Sequence, residues 1–185
     1  TIPSDFGSTW TAMTTGSYMF CYCTSLTAIP SDFGSTWTAL TDGSGMFGGC
    51  KALTTIPSDF GSKWTALTYG SNMFSSCTSL TTIPSDFGST WTALTYGNGM
   101  FSRCTSLKTA YFLAPSCTTT ASMFDTCTAL ESITLTPTAY TALINGTSDY
   151  GLTSAQLANA KLYSESPTVL VIKTNKGMSK YFFAV

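Results

Sequence analysis

A 27-residue unit occurs four times in succession in this 185-residue chain, and it constrains the fold more than any other feature. Its clearest marker is tryptophan, which recurs at Trp10, Trp37, Trp64 and Trp91. The full unit reads I-P-S-D-F-G-S-x-W-T-A-[LM]-T-x-G-x-x-M-F-x-x-C-x-x-L-[TK]-x. A period of about 20 to 50 residues is typical of proteins whose units bury their apolar face only against neighbouring units. The chain is therefore predicted to fold as a stack of similar coils.

A shorter fifth unit follows the four regular ones. The pattern M-F-x-x-C-x-x-L occurs again at residues 123–130, and its cysteine, Cys127, comes 23 residues after Cys104 instead of 27. From Pro137 onward the period is lost. Because the end of a repeat stack needs a covering segment, we predict two parts. Residues 1–135 form a solenoid of about five coils, and residues 136–185 form a C-terminal capping segment.

Short elements are predicted inside the coils and in the capping segment. Residues 78–83 alternate up to a proline, which indicates a short strand. Residues 100–104 have the apolar spacing of a single helical or 3₁₀ turn. In the capping segment we expect a short helix at residues 153–162 and a closing hairpin of residues 169–173 and 180–185.

Three columns are predicted to form the core, where a column is the set of equivalent residues in successive repeats. Stacked coils place such residues about 4.8 Å apart, so an apolar column is buried between its neighbours. The cysteine side chains point in parallel, which favours free buried thiols over disulfides. Cys21 and Cys117 lie outside the column and are better candidates for exposed or paired thiols. The core columns are Cys23, Cys50, Cys77, Cys104 and Cys127, then Phe20, Phe47, Phe74, Phe101 and Phe124, and then Leu26, Leu53, Leu80, Leu107 and Leu130.

The composition argues against several functional classes. Charged residues make up 9% of the chain, and the eight Lys and Arg are scattered, so no nucleic-acid partner is expected. The chain lacks histidine, a Gly-x-Ser-x-Gly elbow, a phosphate-binding loop and a C-x-x-C pair, which argues against catalysis, a cofactor or a metal site. The longest apolar run, Val169–Ile172, is far shorter than the roughly 20 residues that span a bilayer, so no membrane insertion is expected. Since Thr1 lies inside a repeat and no signal sequence precedes it, we expect the chain to be part of a longer protein.

The repeated core resembles a known family. The pattern M-F-x-x-C-[TS]-x-L-x-x-I and the Ile-Pro that follows it, as in residues 26–30, resemble the BspA-like leucine-rich repeats, whose units run A-F-x-x-C-x-S-L-x-x-I-x-I-P. It is equally similar to the M-F-x-x-C-x-S-L repeats of mycoplasma-type surface lipoproteins. The resemblance covers about residues 2–135, although this unit is longer than the family's common one and adds the tryptophan. It implies a curved parallel solenoid displayed on bacterial, protozoan or phage surfaces for attachment, with no catalytic residues.

The tryptophan column supports two interpretations. The fifth unit omits four residues around Gly-Ser-x-Trp, and an omitted stretch is typical of an edge loop. On that interpretation Trp10, Trp37, Trp64 and Trp91 form an exposed aromatic platform for sugar rings or a flat apolar partner. The resemblance to the mycoplasma-type pattern, which has a buried valine here, instead favours packing in the core.

Other candidate binding residues lie at positions that vary between repeats. Tyr69 and Tyr96 occupy a position where earlier repeats have threonine and aspartate, and this variation favours solvent exposure. Asn72, Asn98 and Arg103 lie at or beside the variable positions that flank the Met-Phe pair. Such positions can be tuned for binding, but neutral drift on a solvated edge predicts the same pattern.

An aspartate also recurs in every regular unit, and like charges at coil spacing repel one another. We expect each carboxylate to cap its own turn, with calcium bridging between neighbouring units as the alternative. The members are Asp5, Asp32, Asp59 and Asp86.

The fold class predicted from the pattern and the resemblance is a right-handed, leucine-rich-repeat-like parallel β-solenoid with short strands, one helical or 3₁₀ turn per coil and a C-terminal α+β cap. The favoured function is non-catalytic binding by an adhesin or phage attachment-fibre module, outside the cell on a cell or virion surface. Its partner would be a host-surface glycan or protein receptor. The alternative is a structural spacer or a self-assembling element of an extracellular filament or fibre, with self-association through the open N-terminal coil. An exposed tryptophan column favours the adhesin, and a buried one with an uncapped apolar first coil favours the spacer.

Overall fold

Successive repeats stack on one another in the computed structural model, which describes residues 1–146 and 148–163 and the strands at 170–173 and 179–182. In the four regular units, the phenylalanine of the Met-Phe pair donates its backbone N–H to the methionine carbonyl of the next repeat. This bond measures 2.8 Å from Phe20 to Met46 and 2.9 Å from Phe101 to Met123. One period of the sequence therefore corresponds to one layer of the stack.

Parallel pairing between the regular repeats consists of isolated bridges rather than strands. We call the longest series of bridges the bridge row; it links Thr15, Asp42, Tyr69, Tyr96 and Thr119. Longer strands occur at the C-terminal end, where β1 (Thr109–Phe112), β2 (Ser132–Leu135) and β3 (Ala160–Leu162) form a parallel sheet in the order β1-β2-β3.

The described residues of the C-terminal part also form two short helices and a hairpin. Helix α1 (Pro137–Ile144) starts with proline, which has no N–H to leave unpaired at a first helical position. Helix α2 (Ser154–Ala158), with Thr153 as its N-terminal capping residue, lies within the predicted range of residues 153–162, but β3 replaces the C-terminal part of that range. The predicted hairpin is present as β4 (Leu170–Lys173) paired with antiparallel β5 (Ser179–Phe182); residues 169 and 183–185 lie outside the described residues.

The C-terminal segment continues the hydrogen-bonding pattern of the repeats. Phe124 donates its N–H to the carbonyl of Tyr150 at 2.9 Å, the bond that earlier units make to a methionine. The amide of Gln156 donates to the carbonyl of Cys127 at 2.8 Å. The far side of the fifth unit is therefore covered by residues that lack the repeat sequence.

The predicted strand at residues 78–83 is wrong in its extent. Only Thr82 pairs in parallel, through a bridge to Thr109. The N–H of Leu80 closes a turn onto the carbonyl of Cys77 at 3.0 Å, so it is not available to a neighbouring strand. The sequence has the alternating pattern of a strand here. However, the turn uses the N–H of Leu80, which a strand would donate to its neighbour.

The predicted helical turn at residues 100–104 is also wrong. Met100, Ser102 and Cys104 each donate an N–H to a carbonyl three residues earlier, as in a 3₁₀ helix. However, Gly99 and Arg103 have φ angles of +60° and +62°, in the left-handed region. A left-handed residue interrupts a right-handed helix, so the segment is a succession of tight turns.

Aromatic columns form the centre of the core. The rings of Phe47 and Phe74 stack with centroids 5.5 Å apart and planes 7° from parallel. Phe60 meets Phe74 edge to face at 5.3 Å and Trp64 edge to face at 4.8 Å. Both arrangements are favoured between aromatic rings, so the Phe, Trp and Met-Phe positions of the unit join in one core that runs through the stack.

Candidate functional site

Two tyrosines form a stacked pair on the surface. Tyr69 and Tyr96 are 45% and 40% exposed, and their rings lie 4.8 Å apart with planes 6° from parallel. Both belong to the bridge row, and the backbone fixes their spacing: Gly70 donates to the carbonyl of Tyr96 at 2.8 Å, and Tyr96 donates to that of Thr68 at 3.1 Å. The pair is therefore an ordered aromatic surface available to solvent.

A carboxylate precedes this pair in the bridge row. Asp42 is the bridge partner of Tyr69 and accepts a hydrogen bond from the N–H of Ser44 at 2.9 Å. Burial opposes ionisation of Asp42, but the hydrogen bonds from the backbone and side chain of Ser44 and from the side chain of Ser17 outweigh it and lower its pKa. Asp42 therefore places a negative charge on the N-terminal side of the pair.

A polar hollow of about 420 Å³ lies beyond the pair on the C-terminal side, where Thr119 is the bridge partner of Tyr96. The Oδ1 of Asn98 accepts a hydrogen bond from the N–H of Ala121 at 2.9 Å. The amide N–H₂ of the same side chain makes no hydrogen bond to the described residues. The bridge row thus passes from a carboxylate through two tyrosines to a hydroxyl-rich hollow. The residues that line the hollow are Thr118, Thr119, Thr120, Ala121, Gly146, Ser148 and Asp149.

Asn72 and Arg103 were also predicted for binding. They lie in the turns that contain the Met-Phe pairs, which we call the Met-Phe turns, and both have left-handed backbone conformations. Both are exposed, with φ angles of +56° and +62°. The Oδ1 of Asn72 lies 2.5 Å from where a Cβ would stand on Gly99 of the next repeat. Their positions follow from the turn geometry, and neither belongs to the bridge row.

Tyr18 and Tyr22 also lie at the variable positions that flank the Met-Phe pair, although they were not among the candidate binding residues, and they are 64% and 75% exposed. They lie over Gly45 and Gly49 of the next repeat, where an added Cβ would be 2.5 Å from each ring. A signal was present in the sequence, because glycine takes their two positions in the following unit and leaves room for both rings.

The exposed tryptophan platform is wrong for three of its four members. Trp37, Trp64 and Trp91 are fully buried. The Nε1–H of Trp37 donates to the carbonyl of Gly7 at 2.9 Å, which satisfies the polar atom of the indole inside the core. Only Trp10, in the first unit, is exposed, at 43%.

The shorter fifth unit has a different explanation from an edge loop. Each buried indole packs on a glycine of the preceding repeat, where an added Cβ would lie 2.6 to 2.8 Å from the ring. In the fifth unit Leu113 and Ala114 are buried instead, Leu113 donates its N–H to the carbonyl of Phe87, and Ala114 lies against Gly88. A shorter chain path covers the same surface, so the omitted residues belong to the core.

The predicted core columns are buried except at the N-terminal end. Cys23 is exposed and Phe20 is only partly buried, because no repeat precedes the first unit in the structure. The remaining members of the three columns are Cys50, Cys77, Cys104, Cys127, Phe47, Phe74, Phe101, Phe124, Leu26, Leu53, Leu80, Leu107 and Leu130, and all of them are buried.

From the second unit onward, the cysteine column consists of free thiols that donate hydrogen bonds to the preceding repeat. The Sγ of Cys77 donates to the carbonyl of Phe47 at 3.3 Å, and that of Cys104 to Phe74 at 3.2 Å. Burial raises the pKa of Cys77 to about 12 and that of Cys104 well above its usual value. These thiols are therefore neutral packing groups, since reactivity requires the thiolate.

The two cysteines outside the column are both free thiols. Cys117 is buried and free, with its Sγ 3.6 Å from the carbonyl of Thr95, whereas Cys21 is free and partly exposed.

The repeated aspartates are exposed, and within the described part of the chain their carboxylates make no hydrogen bond, so the capping interpretation is wrong. Backbone bonds close these turns instead, as from Ser35 N–H to the carbonyl of Asp32 at 3.1 Å. The described residues contain no cluster of three or more metal-ligating side chains.

Residues 13–145 match the family described as BspA type leucine rich repeat region, in six copies. The match covers most of the chain, which therefore belongs to the BspA-type leucine-rich-repeat family, and the resemblance to the BspA-like repeats is confirmed. No curated protein matches the chain.

Among solved structures, the chain is similar to a leucine-rich repeat protein from Bacteroides ovatus, at 16% identity and a TM-score of 0.31. The alignment covers 80% of this chain and 39% of that one. Neither helix of the described residues is long and apolar enough to cross a membrane.

Proposed function

We propose that this chain is a non-catalytic binding module that presents the bridge row to a glycan or protein receptor outside the cell, on a cell or virion surface. The observation that carries the proposal is the exposed, parallel pair of Tyr69 and Tyr96. Ordered aromatic side chains supply a large contact area at a low cost in conformational entropy. Membership of the family supports a role in interactions and suggests no catalytic residues.

The architecture proposed for this module is the one expected from the sequence. Residues 1–135 form a right-handed parallel solenoid, and residues 136–185 form its C-terminal cap. The hydrogen bonds from Phe124 to Tyr150 and from Gln156 to Cys127 support the cap, because they cover the last unit. Covering this end leaves the bridge row free along the side of the stack.

The chemistry of the bridge row favours a glycan as the first ligand class to test. Sugar rings pack their C–H faces on aromatic rings and bond through their hydroxyl groups. The tyrosine pair supplies the ring faces, while Asn98 and the hollow beyond Thr119 supply polar groups. A protein receptor would use the same tyrosines as anchor residues.

The test is a glycan array followed by titration of each hit with wild-type protein and with the double variant Tyr69→Ala/Tyr96→Ala. We expect the double variant to lose at least tenfold in affinity, since central aromatic anchors contribute about 1.4 kcal/mol or more. The matched control is Tyr18→Ala/Tyr22→Ala, which removes two more exposed tyrosines outside the bridge row. Loss of binding in the control alone would move the site to the Met-Phe turns, and an array without hits would count against a glycan.

A structural spacer is the second candidate, and a specific observation favours it. Trp37, Trp64 and Trp91 are buried, which is the state of the tryptophan column expected of a spacer. The two functions differ in the solvent-exposed tyrosines. A spacer tolerates Tyr69→Ala/Tyr96→Ala in a functional assay on intact cells or virions, whereas a binding module does not.

A further inference from the structure

The stacked tyrosines of the bridge row each keep one ring face open. Tyr69 and Tyr96 lie 4.8 Å apart with planes 6° from parallel, so the inner face of each ring is covered by the other ring. The outer face of Tyr69 is turned along the row towards Asp42, and that of Tyr96 towards Thr119. Paired residues place their side chains on one face of a sheet, and aspartate and threonine are shorter than tyrosine. Both outer faces therefore extend beyond the side chains that border them, in agreement with the exposure of the two tyrosines.

A fixed negative charge borders the outer face of Tyr69. The Oδ1 of Asp42 accepts a hydrogen bond from the N–H of Ser44 at 2.9 Å, which holds the carboxylate beside the bridge row. The preceding member of the row is Thr15, a small and exposed residue that does not reach the tyrosine ring. A cation seated against this ring contacts the electron-rich face of Tyr69 and the carboxylate of Asp42 together. The ring alone favours a cation by about 0.5 to 1 kcal/mol at an exposed site, and the carboxylate adds to this attraction.

The other end of the tyrosine pair also carries a carboxylate. Asp149 lines the hollow beyond Thr119, and its Oδ1 accepts a hydrogen bond from the N–H of Gly151 at 2.8 Å. The other polar side chains that line the hollow are hydroxyls. Among the described residues that form the bridge row or line the hollow, none is a lysine or an arginine. A ligand with carboxylate or sulfate groups would therefore be repelled at both ends of the pair, and a cationic ligand would be attracted.

We propose that the bridge row recognises a glycan whose sugars carry free amino groups, with one ammonium group held between the ring of Tyr69 and the carboxylate of Asp42. A further sugar of the same glycan packs on the outer face of Tyr96 and directs its hydroxyl groups into the hollow. This specificity rests on the proposed function, because it belongs to the same site. It makes affinity depend on the charge of the sugar nitrogen, since acetylation removes that charge and succinylation reverses it.

The test compares three forms of one backbone, a β-linked glucosamine tetramer with its amino groups free, acetylated or succinylated. Titration calorimetry at pH 5 keeps the sugar amines protonated. Asp42 stays ionised at this pH, since the burial that opposes its ionisation is outweighed by hydrogen bonds that lower its pKa. We expect the free amine to bind roughly fivefold or more tightly than the acetylated form, which corresponds to about 1 kcal/mol. The succinylated form should bind most weakly.

A matched pair of variants separates the role of Asp42 from that of net charge. Asp42→Asn removes the charge but keeps an oxygen that can accept the N–H of Ser44, and it should abolish most of the preference for the free amine. Asp86→Asn removes one charge from an exposed aspartate outside the bridge row, so it should leave the preference unchanged. An equal loss in both variants would mean that net charge attracts the amine, and would overturn the assignment to Asp42.

The amino-sugar specificity and the binding function can fail separately. Equal binding of the three forms, weakened in each case by Tyr69→Ala/Tyr96→Ala, would overturn the specificity and leave the binding function standing. Binding of the free amine that the same double variant does not weaken would count against the tyrosine pair, and so against the proposed function. The specificity would also be overturned if the free amine failed to bind. An oligolysine peptide that bound more tightly than the free amine and displaced it would overturn it in favour of a basic protein receptor.

Discussion

The indole Nε1–H of Trp64 donates a 2.9 Å hydrogen bond to the carbonyl of Gly34, thirty residues earlier in the chain. Gly34 has a φ angle of +68°, and the indole ring lies where its Cβ would be, at 2.6 Å. The left-handed glycine thus gives the ring both its acceptor and its space. The same pairing joins Trp37 to Gly7 and Trp91 to Gly61, so it links each regular repeat to the next.

Replacing a buried tryptophan should cost much more than replacing the exposed one. Trp64→Ala removes a fully buried side chain and leaves a cavity, so we expect the free energy of unfolding to fall by about 3 to 5 kcal/mol. Trp10→Ala, at the end of the same column, should cost less than half as much. Urea denaturation followed by circular dichroism measures both, and equal losses would contradict the burial difference.

The glycine that receives each indole should not tolerate alanine. Gly61 has a φ angle of +69°, and an added Cβ would lie 2.8 Å from the Cζ2 of Trp91. Gly146 has the same φ angle with nothing within 4 Å, so Gly146→Ala reports the backbone strain alone, about 1 to 2 kcal/mol. We expect Gly61→Ala to cost about 1 to 3 kcal/mol more than this control. Similar losses in the two variants would show that the ring moves aside without penalty.

The sequence supports the stacking and the core columns because a stacked repeat places equivalent residues in contact. The buried positions of Cys77, Phe74 and Leu80 follow from that single inference. The same inference fails at Cys23 and holds only in part at Phe20, because no repeat covers the N-terminal side of the first unit in the structure. The end of a stack therefore differs from its middle although the sequences agree.

The position of the tryptophans could not be derived from the missing residues of the fifth unit. A gap was interpreted as an edge loop, but Leu113 and Ala114 cover the surface of Phe87 and Gly88 by a shorter path. The backbone geometry of the Met-Phe turns could not be predicted from the sequence either. The left-handed positions of these turns are occupied by Asn72 and Arg103 as well as by glycine. The residue types therefore do not indicate a positive φ angle.

Two adjacent serines in a Met-Phe turn should respond to glycine with opposite signs. Ser76 has a φ angle of +61°, whereas its neighbour Ser75 is not among the left-handed residues. Ser76→Gly relieves strain of about 1 to 2 kcal/mol but increases the entropy of the unfolded chain, so we expect a net gain of about 0.5 to 1 kcal/mol. Ser75→Gly has only the entropic effect and should cost about 0.5 to 1 kcal/mol. Chemical denaturation of the two variants provides the comparison, and destabilisation by both would contradict the φ assignment.

The buried thiols should make the fold sensitive to alkali. Burial raises the pKa of Cys77 from 9.0 to about 12, so the folded state holds this proton more tightly than the unfolded state does. The resulting stability is fully present below pH 9 and is lost as the pH rises towards about 12. Across that window each such thiol should lower the free energy of unfolding by up to about 1.4 kcal/mol per pH unit. Denaturation curves at pH 8 to 11 should therefore show a smaller slope against pH for Cys77→Ala than for the wild-type protein. An unchanged slope in Cys77→Ala would mean that this thiol ionises as easily in the folded protein as in the unfolded chain.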